Sequence, residues 1–372
     1  MRGRPQKLRL ILRHANRARL WTPLVRSLVT FPPEREGTYD ASPSLIPVCG
    51  KYKMSSPDLP VISLQPLFYG GHVGLTEVAR QIGAACRGIG FFYIIDHGIT
   101  EALVAQTFGA AARFFAGADT AREKIAISRS AHNRGYVGLK QEKLDPSKPP
   151  DLKQAFNIGL ELAEDDPDVV AGKPFRGPNF WPADTAFKST CLAYFDAVWA
   201  LGRDLHRAIA IDLGLAETFF ADKLDAPMAT LRLLNYPPMP VGIDAAQLGA
   251  GEHTDYGNIT LLMTDEVGGL EVKARDGTWI KAPVIPGAFV CNIGDCLMRW
   301  TNDIYVSTPH RVVNPAGRER NSIAFFLDPN PDALVFCLPG CGAPKYPPVL
   351  AADYLRQRLD ATYAHKTGAA AA

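Results

Sequence analysis

Helical segments first and strands afterwards predict an α+β fold for this chain. Apolar residues recur at helical spacing as far as residue 213, the texture turns to short alternating runs after Pro227, and the two kinds of segment do not interleave as a doubly wound sheet requires. Eight strand candidates crowd the second half, at 229–235, 258–264, 269–274, 278–283, 288–293, 304–313, 321–327 and 333–338, separated by Gly, Pro, Asp and Asn turns. That density of short strands predicts two sheets packed as a jelly roll.

The elements preceding them follow in order. Pro60-Val61-Ile62-Ser63-Leu64 is a short strand candidate, and Leu75, Val78, Ala79, Ile82, Ala85 and Cys86 mark one face of a helix that Gly88 and Gly90 stop. Phe91-Phe92-Tyr93-Ile94-Ile95 has the continuous apolar run of a buried strand and ends at Asp96-His97-Gly98. Thr100 suits the N-cap of a second helix through Phe115, because its hydroxyl can accept a bond from a free N–H of the first turn. Residues 128–182, rich in Pro, Gly, Lys and Asp, predict extended loops and short strands. A long helix then runs from about Asp184 to Leu213 on the stripe Phe187, Leu192, Phe195, Val198, Leu201, Leu205 and Ile209, with Gly214 as its stop. A last helix near 351–363 packs back, and the Ala-rich end frays.

These signals divide the chain into a basic extension (1–53), a helical and mixed region (54–226), the jelly-roll core (227–345) and a C-terminal helix with its tail (346–372). Residues 1–53 hold eleven Lys/Arg against three acids, a net +8, so the overall +2 leaves the remainder at −6. A mildly acidic body has no electrostatic reason to bind nucleic acid, and a small-molecule substrate is expected instead. The basic segment reads as a disordered extension or an over-extended start, with true translation beginning at Met54. Its Arg-rich, acid-poor composition also suits a mitochondrial transit peptide, and its apolar residues a surface-seeking helix. Seven scattered cysteines without a CxxC pair speak against a disulfide framework or structural zinc and for a reducing, cytoplasmic setting. No apolar run is long enough to span a membrane.

The chemistry concentrates in the strand-rich half. His253-Thr254-Asp255 is followed by Pro309-His310-Arg311, and Arg320-Asn321-Ser322 lies ten residues beyond the second histidine. Two imidazoles and a carboxylate are the donor set that holds non-haem Fe(II) on one face and leaves the opposite positions open. With no thiolate nearby, structural zinc is disfavoured, as is an all-oxygen site for Mg or Ca. His253 and Asp255, two apart on a strand, would face one way, and a strand folded back beside them would bring His310. Either motif alone is weak; the two together with an Arg-x-Ser at short range are not. Arg320 and Ser322 would likewise share a face. A guanidinium grips a carboxylate with two parallel bonds and the hydroxyl adds a third donor, which suits a diacid whose other end chelates the metal. 2-Oxoglutarate has that shape. Tyr236, in Leu234-Asn235-Tyr236-Pro237-Pro238, would add a phenol donor to the same carboxylate.

From Leu59 to about Tyr363 the chain resembles the isopenicillin N synthase-like family of Fe(II)/2-oxoglutarate-dependent dioxygenases. The likeness rests on Leu-Pro-Val-Ile-Ser-Leu (59–64), Gly-Phe-Phe-Tyr-Ile-Ile-Asp-His-Gly (90–98), Arg-Gly-Tyr (134–136), Asp-Leu-Lys-Gln-Ala-Phe-Asn-Ile-Gly (151–159) and Asn-Tyr-Pro-Pro (235–238). In the catalytic half it rests on His-Thr-Asp-Tyr-Gly-Asn-Ile-Thr-Leu-Leu (253–262), Asn-Ile-Gly-Asp (292–295), Ser-Thr-Pro-His-Arg-Val-Val (307–313) and Arg-Asn-Ser-Ile-Ala-Phe-Phe (320–326). Asp96 departs from the asparagine of many relatives, far from the metal motifs. The resemblance implies a double-stranded β-helix, or distorted jelly roll, behind an N-terminal helical region. It makes His253, Asp255 and His310 the iron ligands, with Arg320, Ser322 and Tyr236 on the 2-oxoglutarate carboxylate. The implied reaction consumes O2 and 2-oxoglutarate, hydroxylates or desaturates a small organic molecule, and releases succinate and CO2. Two alternatives share the fold: an iron oxidase without 2-oxoglutarate (isopenicillin N synthase-type or aminocyclopropane carboxylate oxidase-type), and a non-catalytic binding module. Phe156, Asn157, Arg299, Trp300 and Phe325 are the candidates for the substrate walls.

Overall fold

A computed structural model describes residues 59–145, 147–238, 247–314 and 317–364. The readings made of residues 1–53 and of the alanine-rich tail lie outside them. The first described elements are β1 (Val61–Ser63), α1 (Gln65–Tyr69), α2 (Gly71–Gly88), β2 (Phe91–Ile95), α3 (Glu101–Ala116) and α4 (Asp119–Glu123). Next come β3 (Gly135–Val137), β4 (Gln154–Gly159), α5 (Pro167–Val170) and α6 (Thr185–Asp212). The strand-rich half holds β5 (Thr230–Tyr236), β6 (Ala250–His253), β7 (Ile259–Thr264), β8 (Leu270–Lys273), β9 (Trp279–Lys281) and β10 (Phe289–Ile293). It closes with α7 (Asp295–Trp300), β11 (His310–Val312), β12 (Arg320–Leu327), β13 (Leu334–Val335), β14 (Val349–Leu350) and α8 (Ala351–Ala364).

Two sheets form the double-stranded β-helix. The larger has eight strands in the order β1-β2-β10-β7-β12-β5-β4-β3, the smaller four in the order β6-β11-β8-β9. β1 and β2 pair in parallel and the other pairs run antiparallel. Strands from both halves of the chain therefore build the large sheet, with β1–β4 extending it at both edges.

Strand parity decides what each face of that sheet does. On β12, Ile323, Phe325 and Leu327 are buried in the main core, whereas Arg320, Ser322, Ala324 and Phe326 line the interior on the opposite face. β5 and β7 repeat the division: Leu231, Leu233, Leu261 and Met263 join the core, and Arg232, Leu234, Tyr236, Thr260 and Leu262 face the interior. Helix α6 covers the core face, where Phe195 meets Phe325 edge-on at 5.1 Å between ring centroids. Asp184 caps that helix by accepting from the backbone N–H groups of Ala186 (2.9 Å) and Phe187 (3.1 Å). Thr100 caps α3 as expected, its hydroxyl accepting from Leu103 N at 3.3 Å.

Several boundaries differ from the sequence reading. Only His310–Val312 of the 304–313 segment is a strand, because α7 and a turn with Asn302 and Asp303 at positive φ occupy the approach. The helices α1, α4 and α7 are five, five and six residues long, too short for a helical period to register. The four-residue strand β6 has the sequence Ala-Gly-Glu-His, which carries almost no strand propensity.

Candidate active site

The cavity between the two sheets receives all six residues singled out from the sequence. His253, Asp255, His310, Arg320, Ser322 and Tyr236 line one space of about 70 Å³. Within it, His253, Asp255 and His310 each offer a ligand atom, and these atoms lie within 4.8 Å of one another. The Nε2 atoms of both histidines stand 3.8 Å from Asp255 Oδ1, and the imidazole centroids are 4.3 Å apart.

The fold produces this convergence through register. His310 on β11 is the direct antiparallel partner of His253 at the end of β6. Asp255 corrects the sequence reading: it lies past the end of β6, in the turn before β7, so it does not share a strand with His253. The turn, rather than strand parity, brings its carboxylate back to the two rings.

Each of the three groups is held with one atom committed to the protein and one left over. His253 Nδ1 lies 2.7 Å from the Gly251 carbonyl and His310 Nδ1 3.1 Å from the Thr308 carbonyl. A carbonyl can only accept, so each Nδ1 carries the proton and each Nε2 presents its lone pair to the space between. Asp255 Oδ2 accepts from Thr260 Oγ1 at 2.5 Å and Asn292 Nδ2 at 2.8 Å, leaving Oδ1 for that same space. Burial, reinforced by His310, pushes the His253 imidazole down to about 3. Burial alone would raise the Asp255 carboxyl, but the two imidazoles and the bonds from Thr260 and Asn292 outweigh it and hold it below its ordinary value. A neutral His253 imidazole and an ionised Asp255 carboxylate are forms that bind a divalent cation.

At the other end of the cavity Arg320 is fully buried. Its Nε donates to the Gly268 carbonyl at 2.6 Å and Nη1 to Ser322 Oγ at 3.2 Å, while Nη2 has no partner among the described residues. A buried cationic donor without an acceptor is costly unless an anion completes it. Tyr236 is the direct partner of Arg320 across β5 and β12, its ring centroid 4.6 Å from the guanidinium carbon. The donor set at one end and the orphaned guanidinium donor at the other fit Fe(II) and a keto-diacid spanning the two.

Sequence reasoning missed the residues that support this arrangement. Thr260 and Asn292 hold Asp255; Asp151 Oδ1 accepts from Gly251 N at 3.0 Å, tying the approach to β4 to the strand that carries His253. Lys153 is buried between Asp151 (2.6 Å) and Glu142 (3.5 Å), and Glu142 also takes Arg232 at 2.5 Å, so this charged wall of the cavity is internally balanced. Asp151, Lys153 and Asn292 all stand inside motifs quoted above, which was the available signal. A second cavity of about 140 Å³ opens on the far side of His253 and Asp255, beneath Leu355 and Leu359 of α8. Of the five wall candidates only Asn157 lines it; Phe156, Trp300 and Phe325 are core residues, and Arg299 stacks on Tyr346 and Tyr354.

Several known proteins are similar to this chain. Family models match residues 59–184 ("non-haem dioxygenase in morphine synthesis N-terminal") and 228–329 ("2OG-Fe(II) oxygenase superfamily"). A 2-oxoglutarate-Fe(II) type oxidoreductase of Emericella nidulans is 38% identical over 316 residues, covering 82% of this chain and 90% of that protein. The crystal structure of a full-length Neurospora crassa protein in complex with alpha-KG is 36% identical with a TM-score of 0.74, covering 82% of this chain and 96% of that one. The complex of the same Neurospora protein with alpha-KG and thymine is 35% identical with a TM-score of 0.73, covering 82% and 97%. The relatives support the 2-oxoglutarate-using reading over an oxidase without it or a binding module. The chain belongs to the 2OG-Fe(II) oxygenase superfamily and is a 2-oxoglutarate-dependent dioxygenase that uses Fe(II) and O2.

Proposed function

We propose that His253 Nε2, Asp255 Oδ1 and His310 Nε2 hold the iron, and that Arg320 and Ser322 seat the distal carboxylate of 2-oxoglutarate with Tyr236 packed beneath the guanidinium. The observation that carries this reading is the unpartnered Nη2 of a fully buried Arg320 in the same cavity as the three metal-type donors. When bound, Fe(II) with 2-oxoglutarate and O2 supplies the oxidant that hydroxylates or desaturates a C–H bond, with release of succinate and CO2. The chain's own work is positional. The Gly251 and Thr308 carbonyls set the imidazole tautomers, Thr260 and Asn292 keep one carboxylate oxygen turned to the metal, and the guanidinium fixes the co-substrate at its far end.

The substrate of this reading is a small organic molecule in the second cavity, which touches His253 and Asp255 but not Arg320. Its modest volume supports a compact substrate, as does the thymine complex of the Neurospora relative. In this reading the described residues of 54–226 contribute walls, those of 227–345 the chemistry and those of 346–372 a cover. The described cysteines are all free thiols, which supports a reducing, cytoplasmic setting; among the described residues no helix is long and apolar enough to cross a membrane. Arg320→Met tests the assignment. It is expected to raise the KM for 2-oxoglutarate about a hundredfold, in line with about 2–3 kcal/mol for charge-assisted bonds, with Fe(II) affinity unchanged. O2 uptake that persists without 2-oxoglutarate or succinate would sink the reading.

A further inference from the structure

Three polar side chains with unmet hydrogen-bonding capacity converge on the second cavity. Arg134 is 2% exposed, its Nε has no partner, and it makes no ion pair among the described residues. Its guanidinium lies over Gly159, in the space that a Cβ there would occupy. Asp328, just past the end of β12, is 6% exposed and makes neither a hydrogen bond nor a close ion pair through its side chain among the described residues; it and Arg134 attract each other only at longer range. Gly257 leaves space for it, since a Cβ there would stand 2.5 Å from Oδ1. Asn157, 3% exposed on β4, has an Oδ1 without a partner among the described residues. Buried groups of this kind are destabilising unless something completes them, and the three share one cavity beside His253 and Asp255.

We propose that Arg134, Asp328 and Asn157 recognise the substrate, and that the substrate is a small uncharged cyclic amide or imide, which presents N–H and C=O side by side. The proposal rests on the iron reading above only for which molecule is oxidised, not for what binds. Arg134 offers donors alone, whereas Asp328 and Asn157 Oδ1 offer acceptors. An anion would meet Asp328, a cation would meet Arg134, and an apolar molecule would leave all three groups unsatisfied, which is the strong form of rejection. The apolar remainder of the wall, Leu144, Met228 and Phe326, suits the ring.

Calorimetric titration of the full-length protein, loaded anaerobically with Fe(II) and 2-oxoglutarate, tests this with succinimide and 2-pyridone against L-alanine, benzoate and benzamidine. The two cyclic probes are expected to bind at least tenfold more tightly than the others. Asp328→Leu and Arg134→Leu are each expected to weaken them at least tenfold, whereas Asp328→Asn, which can still donate and accept, stays within about threefold. Asp328→Leu is expected to melt no lower than the parent, so that lost binding is not lost folding. Preference for the zwitterion or an ion, binding of neither cyclic probe, or an Asp328→Leu protein that binds like the parent would each overturn it. His310→Ala separates the two readings: it removes a proposed iron ligand that does not line this cavity, so cyclic probes should still bind when iron does not.

Discussion

Arg320 and Tyr236 face each other across β12 and β5, and the guanidinium carbon stands 4.6 Å from the centre of the phenol ring. The cation rests on the face of the ring, a contact separate from the expected phenol donor to the co-substrate carboxylate. Cation–π contacts contribute about 1–2 kcal/mol when desolvated. Tyr236→Phe is therefore expected to leave the KM for 2-oxoglutarate within about threefold, and Tyr236→Leu to raise it about tenfold. Succinate formation across a 2-oxoglutarate series measures both, and equal effects of the two substitutions would assign the role to the hydroxyl.

The Asp255 carboxylate is oriented by two neighbours that are not among the proposed iron ligands. Removing either, by Thr260→Val or Asn292→Ala, frees Oδ2 to rotate inward and weakens the orientation of Oδ1. Loss of such a partner typically costs about 10–100-fold in metal affinity. Anaerobic Fe(II) titration should show that loss, with circular dichroism unchanged and 2-oxoglutarate affinity of the iron-loaded protein nearly intact.

The Asp328 carboxyl, held at about 7 by burial first and Asp255 second, carries a sign that can be checked. An unfolded aspartate releases its proton at about 3.9. Between these values the native chain binds a proton the unfolded chain has lost, so the stabilising contribution is full below about pH 4 and is lost as pH climbs through 7. Asp328→Asn removes that dependence. Urea unfolding at pH 5 and pH 8 should show the variant gaining on the parent at the higher pH, on the order of a few kcal/mol; parallel curves would refute it.

Arg358 ties α8 to the metal-site turn. Its guanidinium pairs with Asp295 at 2.6 Å and stacks 4.7 Å from the Tyr256 ring centre, while Leu355 and Leu359 of the same helix roof the second cavity. The side chain is 40% exposed, so its pairing is partly screened. Arg358→Ala is expected to speed amide hydrogen exchange across 351–360 severalfold, while Fe(II) and 2-oxoglutarate affinities stay within about twofold. Unchanged exchange would mean that the leucines alone seat the helix.

The sequence made much of this site legible because the groups proposed to hold the iron and the co-substrate come as short motifs. His-x-Asp, Pro-His and Arg-x-Ser each keep partners within two or three residues, and a jelly roll is the natural way to bring them together. Illegible were contacts whose register depends on the fold. Phe325 was expected at the substrate wall, yet Phe326 is there, and Phe156 lies in the core while Asn157 lines the cavity; one step along a strand exchanges the two faces. Asp255 was assigned to a strand because β6 is too short and too poor in β-formers to reveal where it ends. Arg134 stood inside the quoted Arg-Gly-Tyr motif without any sign of what it faces, and Asp328 lay outside every motif, since single charges far apart in the chain look like surface residues until β3, β4 and β12 are assembled.

The two imidazoles take their orientation from main-chain oxygens, at Gly251 and Thr308, whereas the carboxylate between them takes its orientation from side chains. A missense change cannot delete a peptide oxygen. The orientation of the two imidazoles thus survives any change of side chain at 251 or 308 that keeps the backbone in place, whereas that of the carboxylate is lost with a single substitution at position 260 or 292.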